Sequence, residues 1–205
     1  TLADSRTAPV TAPHCAREPR RLFLFSIDLE DIRRLVPDGD RYRERVPENT
    51  QRYLELLARH DLRCTFFSTG DVARRYPELL RQIAAAGHEI ACHSSDHLPL
   101  DRHSRSSFRD DLTRCLDDFA RAGVTTCKGF RAPIASLCEQ TRWAYEVLAE
   151  LGFVYSSSVL AAEHPLYGWP SFGPDQPRRI EGVWEIPISL SRIPGLDVPF
   201  AGGVY

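Results

Sequence analysis

Short apolar runs alternate with helix-type patterns along most of the chain, and this alternation is the feature that most restricts its fold. Runs with the character of buried strands lie at residues 22–27, 64–68, 89–92, 127–130, 153–155 and 183–186. Between most of them apolar residues recur at helical spacing, and Gly87, Gly123 and Gly152 each follow a helical stretch. Elements that alternate in this way form right-handed βαβ units around a parallel sheet. The sequence therefore predicts an α/β fold.

Local patterns give more detailed expectations for single elements. Because the run at 22–27 is continuously apolar before it reaches charged residues, it predicts a strand buried on both faces. Asp71 is predicted to cap a helix that runs through Ala86. Ser136 and Glu139 have the spacing of a capping box for the helix that ends before Gly152.

Composition divides the chain into a tail and one domain. Residues 1–20 are rich in Thr, Ala, Pro and Arg without periodicity, which predicts a flexible tail. Residues 21–205 are predicted to form a single domain, because a chain of 205 residues suits one core. Prolines become frequent after residue 160 and no helix pattern follows, so we expect the chain to stop before the last elements of its fold. The lack of methionine likewise suggests that sequence precedes Thr1.

Charge and hydropathy exclude several classes of function. Lys and Arg total 26 against 28 Asp and Glu, which argues against a nucleic-acid partner. No apolar run approaches the roughly 18 residues of a transmembrane segment, and the polar start lacks a secretory signal pattern. The six cysteines contain no Cys-x-x-Cys pair and are predicted to be buried thiols. The unpaired cysteines and the missing signal together predict a cytoplasmic location.

Side chains that can bind metal or transfer protons follow the ends of the predicted strands. Asp28, Glu30 and Asp31 follow the first strand, and His93 and His97 follow the third. In a parallel α/β fold these ends share one rim, where functional groups gather. Two histidines four residues apart lie on one face of a helical turn and can bind one ion. A carboxylate from the first strand would complete a site of two histidines and one carboxylate with open positions.

Arg131, after the fourth predicted strand, adds a cation to the same rim. Since side chains alternate along an extended segment, Asp28 and Glu30 share a face, and one can bind metal while the other acts as a base. A guanidinium beside Asp28 would keep that carboxylate ionised. The simpler interpretation is a solvated acidic turn beside unrelated core and surface histidines. Convergence of all these groups on one rim favours the metal site.

Motifs in consecutive order resemble the polysaccharide deacetylase (NodB-homology) family of carbohydrate esterases. They lie at residues 65–70, 77–80, 87–90, 93–97 (His-Ser-Ser-Asp-His) and 131–133 (Arg-Ala-Pro). The resemblance extends from about residue 22 to residue 188 and implies a distorted (β/α) barrel of the NodB type, incomplete at its C-terminus. The first motif, at 26–31 (Ser-Ile-Asp-Leu-Glu-Asp), and Glu-Ile-Pro at 185–187 resemble the exopolysaccharide-locus branch.

The resemblance implies an enzyme that hydrolyses N-acetyl groups on amino-sugar residues of a polysaccharide or its precursor and releases acetate. The partner implied is an N-acetylated polysaccharide or oligosaccharide. A divalent metal, expected to be zinc, would be the cofactor. Its implied ligands are Glu30, His93 and His97, with Asp31 as the alternative carboxylate.

The resemblance also assigns catalytic and substrate-binding roles. Asp28 corresponds to the general base, and Arg131 to the residue that holds it. Pro133, Tyr155 and Trp169 are predicted to contact the substrate, since aromatic rings can stack on a sugar.

Two departures from the family pattern leave alternatives open. Ser156 stands where the fourth motif carries an aspartate, and the Leu-His of the fifth motif has no counterpart before residue 205, so the general acid is unassigned. An incomplete chain accounts for the second departure. The alternatives are a non-catalytic sugar-binding or assembly module with a residual metal site, and a small-ureide amidohydrolase of the same fold. Intact Asp28, His93 and His97 favour the deacetylase over the ureide hydrolase.

Overall fold

A computed structural model of the chain describes residues 23–193 and 196–199. The strands are β1 (Ser26–Leu29), β2 (Thr65–Ser68), β3 (Glu89–Cys92), β4 (Gly129–Phe130), β5 (Tyr155–Ser156), β6 (Arg178–Ile180), β7 (Val183–Glu185), β8 (Leu190–Ile193) and β9 (Leu196–Pro199). The helices are α1 (Val46–Arg59), α2 (Gly70–Arg75), α3 (Pro77–Ala85), α4 (Arg105–Arg121) and α5 (Ala144–Glu150). The predicted tail at 1–20 lies outside the described residues, and the single domain over 21–205 stays a prediction.

Seven of these strands form one mostly parallel sheet. Their order is β1-β2-β3-β4-β5-β7-β6. Neighbours from β1 through β5 to β7 pair in parallel, and only β6 pairs antiparallel, with β7. Strands β8 and β9 form a separate antiparallel pair. The predicted α/β class is therefore confirmed, with β6, β8 and β9 added to the single strand expected after residue 160.

The first predicted strand differs from the observed β1. Strand β1 begins only at Ser26, which lies opposite Thr65 of β2. Phe23 and Leu24 precede this pairing and are 76% and 71% exposed. The prediction of a strand buried on both faces over 22–27 is wrong for its described part, because the apolar run begins before the chain enters the sheet.

The helix predicted from Asp71 to Ala86 is divided into α2 and α3. Thr69, not Asp71, caps α2, since its hydroxyl oxygen accepts from the Val72 N–H at 3.3 Å. Pro77 begins α3, because its ring fits the first helical position but not a helix interior.

The capping box predicted for Ser136 and Glu139 does not form. The Ser136 hydroxyl accepts instead from the Leu100 N–H at 3.0 Å. Cys138 and Thr141 make the local cap of a short 3-10 turn, and α5 begins after it. The tertiary contact with Leu100 therefore overrides the local capping pattern.

The helices bury their apolar faces against the sheet. The largest fully buried side chains are Tyr145, Phe66, Phe67, Phe108, Phe119, Phe130, Leu57, Leu80, Ile83, Leu100, Leu112 and Leu137. Full burial of one side chain of this size contributes about 2 kcal/mol to the free energy of folding. Because this core holds both helices and strands, the residues that follow the strand ends have a rigid support.

The cysteines behave as the sequence predicts within the described residues. Cys15 lies outside that part of the chain; of the five described cysteines, all free thiols, four are buried and Cys127 is half-buried. The Cys92 and Cys115 sulfurs are 3.4 Å apart between β3 and α4. Among the helices of the described residues, none combines the length and apolar character needed to cross a bilayer.

Candidate functional site

Three acids near the carboxyl end of β1 have different surroundings. Asp28 is 36% exposed at its side chain, Glu30 is 23% exposed, and Asp31 is 3% exposed. Leu29 points into the core between the first two. The alternation of an extended chain therefore directs Asp28 and Glu30 to one face, as predicted.

The two predicted histidine ligands meet in a loop, not on a helix. His93 follows directly after β3, and the ring centroids of His93 and His97 are 4.9 Å apart. Ser94 and His97 have left-handed backbone angles, with φ of 65° and 58°. The helical turn expected for these residues is therefore wrong, although the rings do converge. The strained backbone is supported locally, since the His97 N–H donates to the Ser94 hydroxyl at 2.9 Å.

Neighbouring helices anchor this histidine loop. The backbone N–H groups of Gly70 and Asp71, at the start of α2, donate to the Ser94 and Ser95 carbonyls at 3.0 Å. The Ser95 N–H donates in turn to Asp111 of α4 at 2.9 Å. A Cβ atom at Gly70 would lie 3.1 Å from the Ser95 Cα, so glycine permits this close approach. Donors that a helix start leaves unpaired thus fix the loop.

Glu30, His93 and His97 form a group that can hold a metal ion. One ligand atom from each residue lies within 4.8 Å of the others. The Glu30 Oε2 atom is 3.9 Å from His93 Nε2 and contacts His97 Nε2 directly. The structure thus brings together the three residues that were predicted as metal ligands.

The His93 ring has the orientation and protonation state of a ligand. Its Nδ1 lies 2.8 Å from the Arg131 carbonyl oxygen, which can only accept, so Nδ1 carries the proton and Nε2 presents a lone pair. Burial lowers the pKa of His93 and outweighs the opposing effects of Asp28 and Glu30. The neutral imidazole is the form that binds metal.

Glu30 provides the test of whether a cation fits. Its Oε2 atom is buried, faces the Nε2 atoms of His93 and His97, and makes no hydrogen bond of regular geometry with a described residue. A buried carboxylate oxygen that lies 3.9 Å from the unprotonated His93 Nε2 is costly, and a divalent cation bound by both atoms would remove that cost. Two imidazole nitrogens with one carboxylate oxygen are also a donor set that suits zinc. The residues present therefore fit a divalent cation.

Asp31, the alternative carboxylate, lies outside this group. Its carboxylate accepts from Arg33 Nη2 at 2.7 Å and from Arg75 Nη1 at 2.8 Å. Hydrogen bonds from Arg33 and then Arg75 hold the pKa of Asp31 far below its ordinary value. Two guanidinium groups thus occupy the oxygens that a metal would need.

Arg131 holds Asp28 beside the group. Its Nη1 donates to Asp28 Oδ1 at 2.8 Å, while Nε and Nη2 donate to the Ser157 carbonyl and hydroxyl oxygens at 2.8 and 2.9 Å. Burial would raise the pKa of Asp28, but His93 and Arg131 together lower it below its ordinary value. The guanidinium also lies 4.0 Å above the Phe67 ring centroid. Sequence reasoning did not assign Ser157 or Phe67 to Arg131; the position of Ser157 after a predicted strand was the available signal.

Of the three predicted substrate-binding residues, two lie away from the rim. The Tyr155 hydroxyl donates to Glu89 at 2.9 Å. Glu89 begins β3, whereas His93 follows the other end of that strand, about 13 Å further along. Trp169 is 7% exposed and packs edge-to-face on Phe172, so it is a core residue. Pro133 is buried two residues after Arg131, and its contact with substrate stays a prediction.

A family model described as polysaccharide deacetylase matches residues 37–156, more than half of the chain. The chain belongs to the polysaccharide deacetylase family. The matched range includes His93, His97 and Arg131, whereas Asp28 and Glu30 precede it. This placement agrees with the departure of the first motif from its commonest form.

Polysaccharide deacetylase relatives are similar over part of their length. A chitooligosaccharide deacetylase of Sinorhizobium fredii is 39% identical over 123 residues, which cover 58% of this chain and 51% of the relative. A peptidoglycan-N-acetylglucosamine deacetylase of Bacillus cereus is 29% identical over 100 residues, which cover 48% of this chain and 36% of the relative. The chain thus spans about half or less of these relatives.

A solved structure extends the likeness to the fold. A Mycobacterium smegmatis protein assigned to the polysaccharide deacetylases superposes with a TM-score of 0.65 at 26% identity. The superposition covers 87% of this chain and 64% of the other.

Proposed function

We propose that this chain hydrolyses N-acetyl groups on amino-sugar residues of a polysaccharide or oligosaccharide, with release of acetate. The observation that carries the proposal is the group of Glu30, His93 and His97 beside a carboxylate held by Arg131. Membership of the polysaccharide deacetylase family supports the reaction class. The proposal includes a divalent cation, zinc in the first instance, and an exopolysaccharide substrate like that of the branch which the first motif resembles.

Glu30, His93 and His97 would hold the cation. When bound there, it would supply Lewis-acid polarisation of the amide carbonyl and make water more acidic. Glu30 and His97 line a groove of about 220 Å³, and we expect substrate to approach the group from this side.

Asp28 would act as the general base. Its side chain is partly exposed, so water can reach it, and its lowered pKa keeps the carboxylate ionised and able to accept a proton. Arg131 aims the carboxylate with one hydrogen bond, and its other donors are fixed on Ser157 and Ser26. A base that is held in place in this way loses little orientational freedom when the reaction occurs.

The test is acetate release from N-acetylglucosamine oligomers by the full-length protein. We expect release to stop with a chelator and to return when zinc is added back. Release that continues unchanged after complete metal removal would exclude the proposed chemistry. A protein that binds zinc tightly and binds the oligomers, but releases no acetate, would be the non-catalytic sugar-binding module.

Variants separate the roles of the site residues. His93→Ala and His97→Ala should each abolish stoichiometric zinc binding, whereas His60→Ala, at an exposed histidine outside the site, should not. Asp28→Asn should keep its zinc, measured by elemental analysis, and lose acetate release about 100-fold or more. Near-normal turnover in Asp28→Asn would remove Asp28 as the base.

A further inference from the structure

Glu185 is a buried carboxylate that the proposed chemistry does not use. It lies at the end of β7 and is 0% exposed. Its Oε1 accepts from the Ser158 and Val159 N–H groups at 2.8 and 2.9 Å, and its Oε2 accepts from the Tyr145 hydroxyl at 2.9 Å. A buried carboxylate is tolerated only when donors surround it in this way. Glu185 therefore fixes the backbone that follows β5.

The segment that Glu185 holds is the support of Arg131. The Ser157 carbonyl and hydroxyl oxygens accept from Arg131 Nε and Nη2. The Ser158 hydroxyl accepts from the Ala132 N–H at 2.8 Å, which fixes the backbone next to Arg131 as well. Both the side chain and the backbone of the arginine region thus rest on Ser157 and Ser158, and Glu185 accepts from the N–H of Ser158.

Arg131 transmits this position to Asp28. The guanidinium is planar, so fixing Nε and Nη2 also fixes the direction of Nη1. Nη1 donates to Asp28 Oδ1 at 2.8 Å. A shift of about 1 Å in a reacting group can cost about 100-fold in rate, so the precision of this support matters for a base.

We propose that Glu185 is a positioning residue that acts through Ser157 and Arg131 to hold Asp28. The expected effect of Glu185 on kcat rests on the proposed function, whereas its effect on the backbone at Ser158 and Val159 does not. Glu185 touches neither the metal group nor Asp28, and its nearest links are the Ser158 and Val159 amides. The competing explanation is that Glu185 only stabilises the core.

The structural claim is tested on metal-free protein by amide hydrogen exchange. Glu185→Leu keeps most of the side-chain volume but leaves the Ser158 and Val159 N–H groups without an acceptor, whereas Glu185→Gln retains an acceptor oxygen. We expect exchange at these two amides to accelerate about tenfold or more in the leucine variant, relative to the Ile90 amide of β3, and to stay near wild type in the glutamine variant. Unchanged exchange in Glu185→Leu would overturn the proposal.

The kinetic claim is tested by a double-mutant cycle with Arg131→Ala, with kcat expressed per bound zinc ion. Glu185→Leu should lower kcat about 10- to 100-fold in the wild-type background and less than about twofold when Arg131 is already alanine. Glu185→Gln should restore most of kcat. Glu89→Leu is the control, because Glu89 also accepts from a tyrosine hydroxyl but lies at the amino end of β3. The kcat of this variant should equal that of the wild type.

The outcomes distinguish the two proposals. If Glu185 only stabilises the core, Glu185→Leu would lower the folded fraction and leave kcat per zinc ion unchanged. If the losses of kcat from Glu185→Leu and Arg131→Ala are additive, positioning through Arg131 is likewise overturned. If the wild-type protein releases no acetate, the proposed function fails, and hydrogen exchange at Ser158 and Val159 alone decides whether Glu185 positions the segment.

Discussion

Glu30 and Asp31 are adjacent acids, yet the Glu30 carboxylate faces the two histidines and the Asp31 carboxylate is held by arginines. This difference can be measured. Glu30 belongs to the group that can hold a metal, and its Oε2 faces the Nε2 atoms of His93 and His97. Asp31 is bound by Arg33 and Arg75 and is not a member of that group. We predict that Asp31→Asn lowers the free energy of unfolding and keeps metal binding. Glu30→Gln should leave the free energy of unfolding of the metal-free protein unchanged and weaken metal binding.

The size of the Asp31 effect follows from its contacts. The carboxylate accepts two side-chain hydrogen bonds from Arg33 and one from Arg75, between 2.7 and 2.9 Å, and its side chain is 3% exposed. Breaking a buried pair costs about 3–5 kcal/mol. Because both arginines stay partly exposed and keep Glu44 as a partner, we expect about 2 kcal/mol. That loss lowers Tm by about 4–8 °C for a chain of this length.

The assay is urea unfolding of the metal-free variants, followed by zinc titration. Asp61→Asn is the matched control, since the Asp61 side chain is 98% exposed and asparagine tolerates its φ of 50°. Its stability should equal that of the wild type. Glu30→Gln should be about as stable as wild type without metal, because the side chain is partly exposed and glutamine keeps an oxygen beside His97, and it should bind zinc poorly. An Asp31→Asn variant with wild-type stability and lost zinc binding would refute the assignment.

Three further predictions follow from other contacts. Because the pKa of Asp31 is lowered on folding, its stabilisation is complete above about pH 4 and is lost as the pH falls through the folded-state pKa. The difference in urea midpoint between wild type and Asp31→Asn should therefore shrink from pH 5 towards pH 2; a constant difference would contradict the ion-pair explanation. Gly129→Ala places a Cβ 2.2 Å from the Tyr155 ring and should cost about 1–3 kcal/mol by urea unfolding, and Tyr155→Ala in the same chain should recover part of it. Trp169→Leu should lower the free energy of unfolding by about 3 kcal/mol and leave KM for the oligomers unchanged. A raised KM with wild-type stability would instead indicate that Trp169 contacts the substrate.

The element order could be predicted from the sequence because hydrophobic periodicity is a local property. The alternation of strand runs and helix patterns predicted β2 and β3 close to their observed positions, although the single helix predicted between them is divided into α2 and α3. Polar residues after strand ends also identified the rim, since parallel strands present the same end on one edge. Errors arose where a tertiary contact replaced a local signal, as at Ser136, whose hydroxyl accepts from Leu100 and not from its own helix.

Within the site, the sequence by itself determined which residue types follow each strand, and only the tertiary structure decided what each one contacts. The choice between Glu30 and Asp31 depends on Arg75, which is 44 positions from Asp31 along the chain. The role of Glu185 depends on amides 26 and 27 positions away. Spacing along the chain cannot give these pairings, because a carboxylate becomes a metal ligand, an ion-pair anchor or a backbone support according to the donors that folding brings to it.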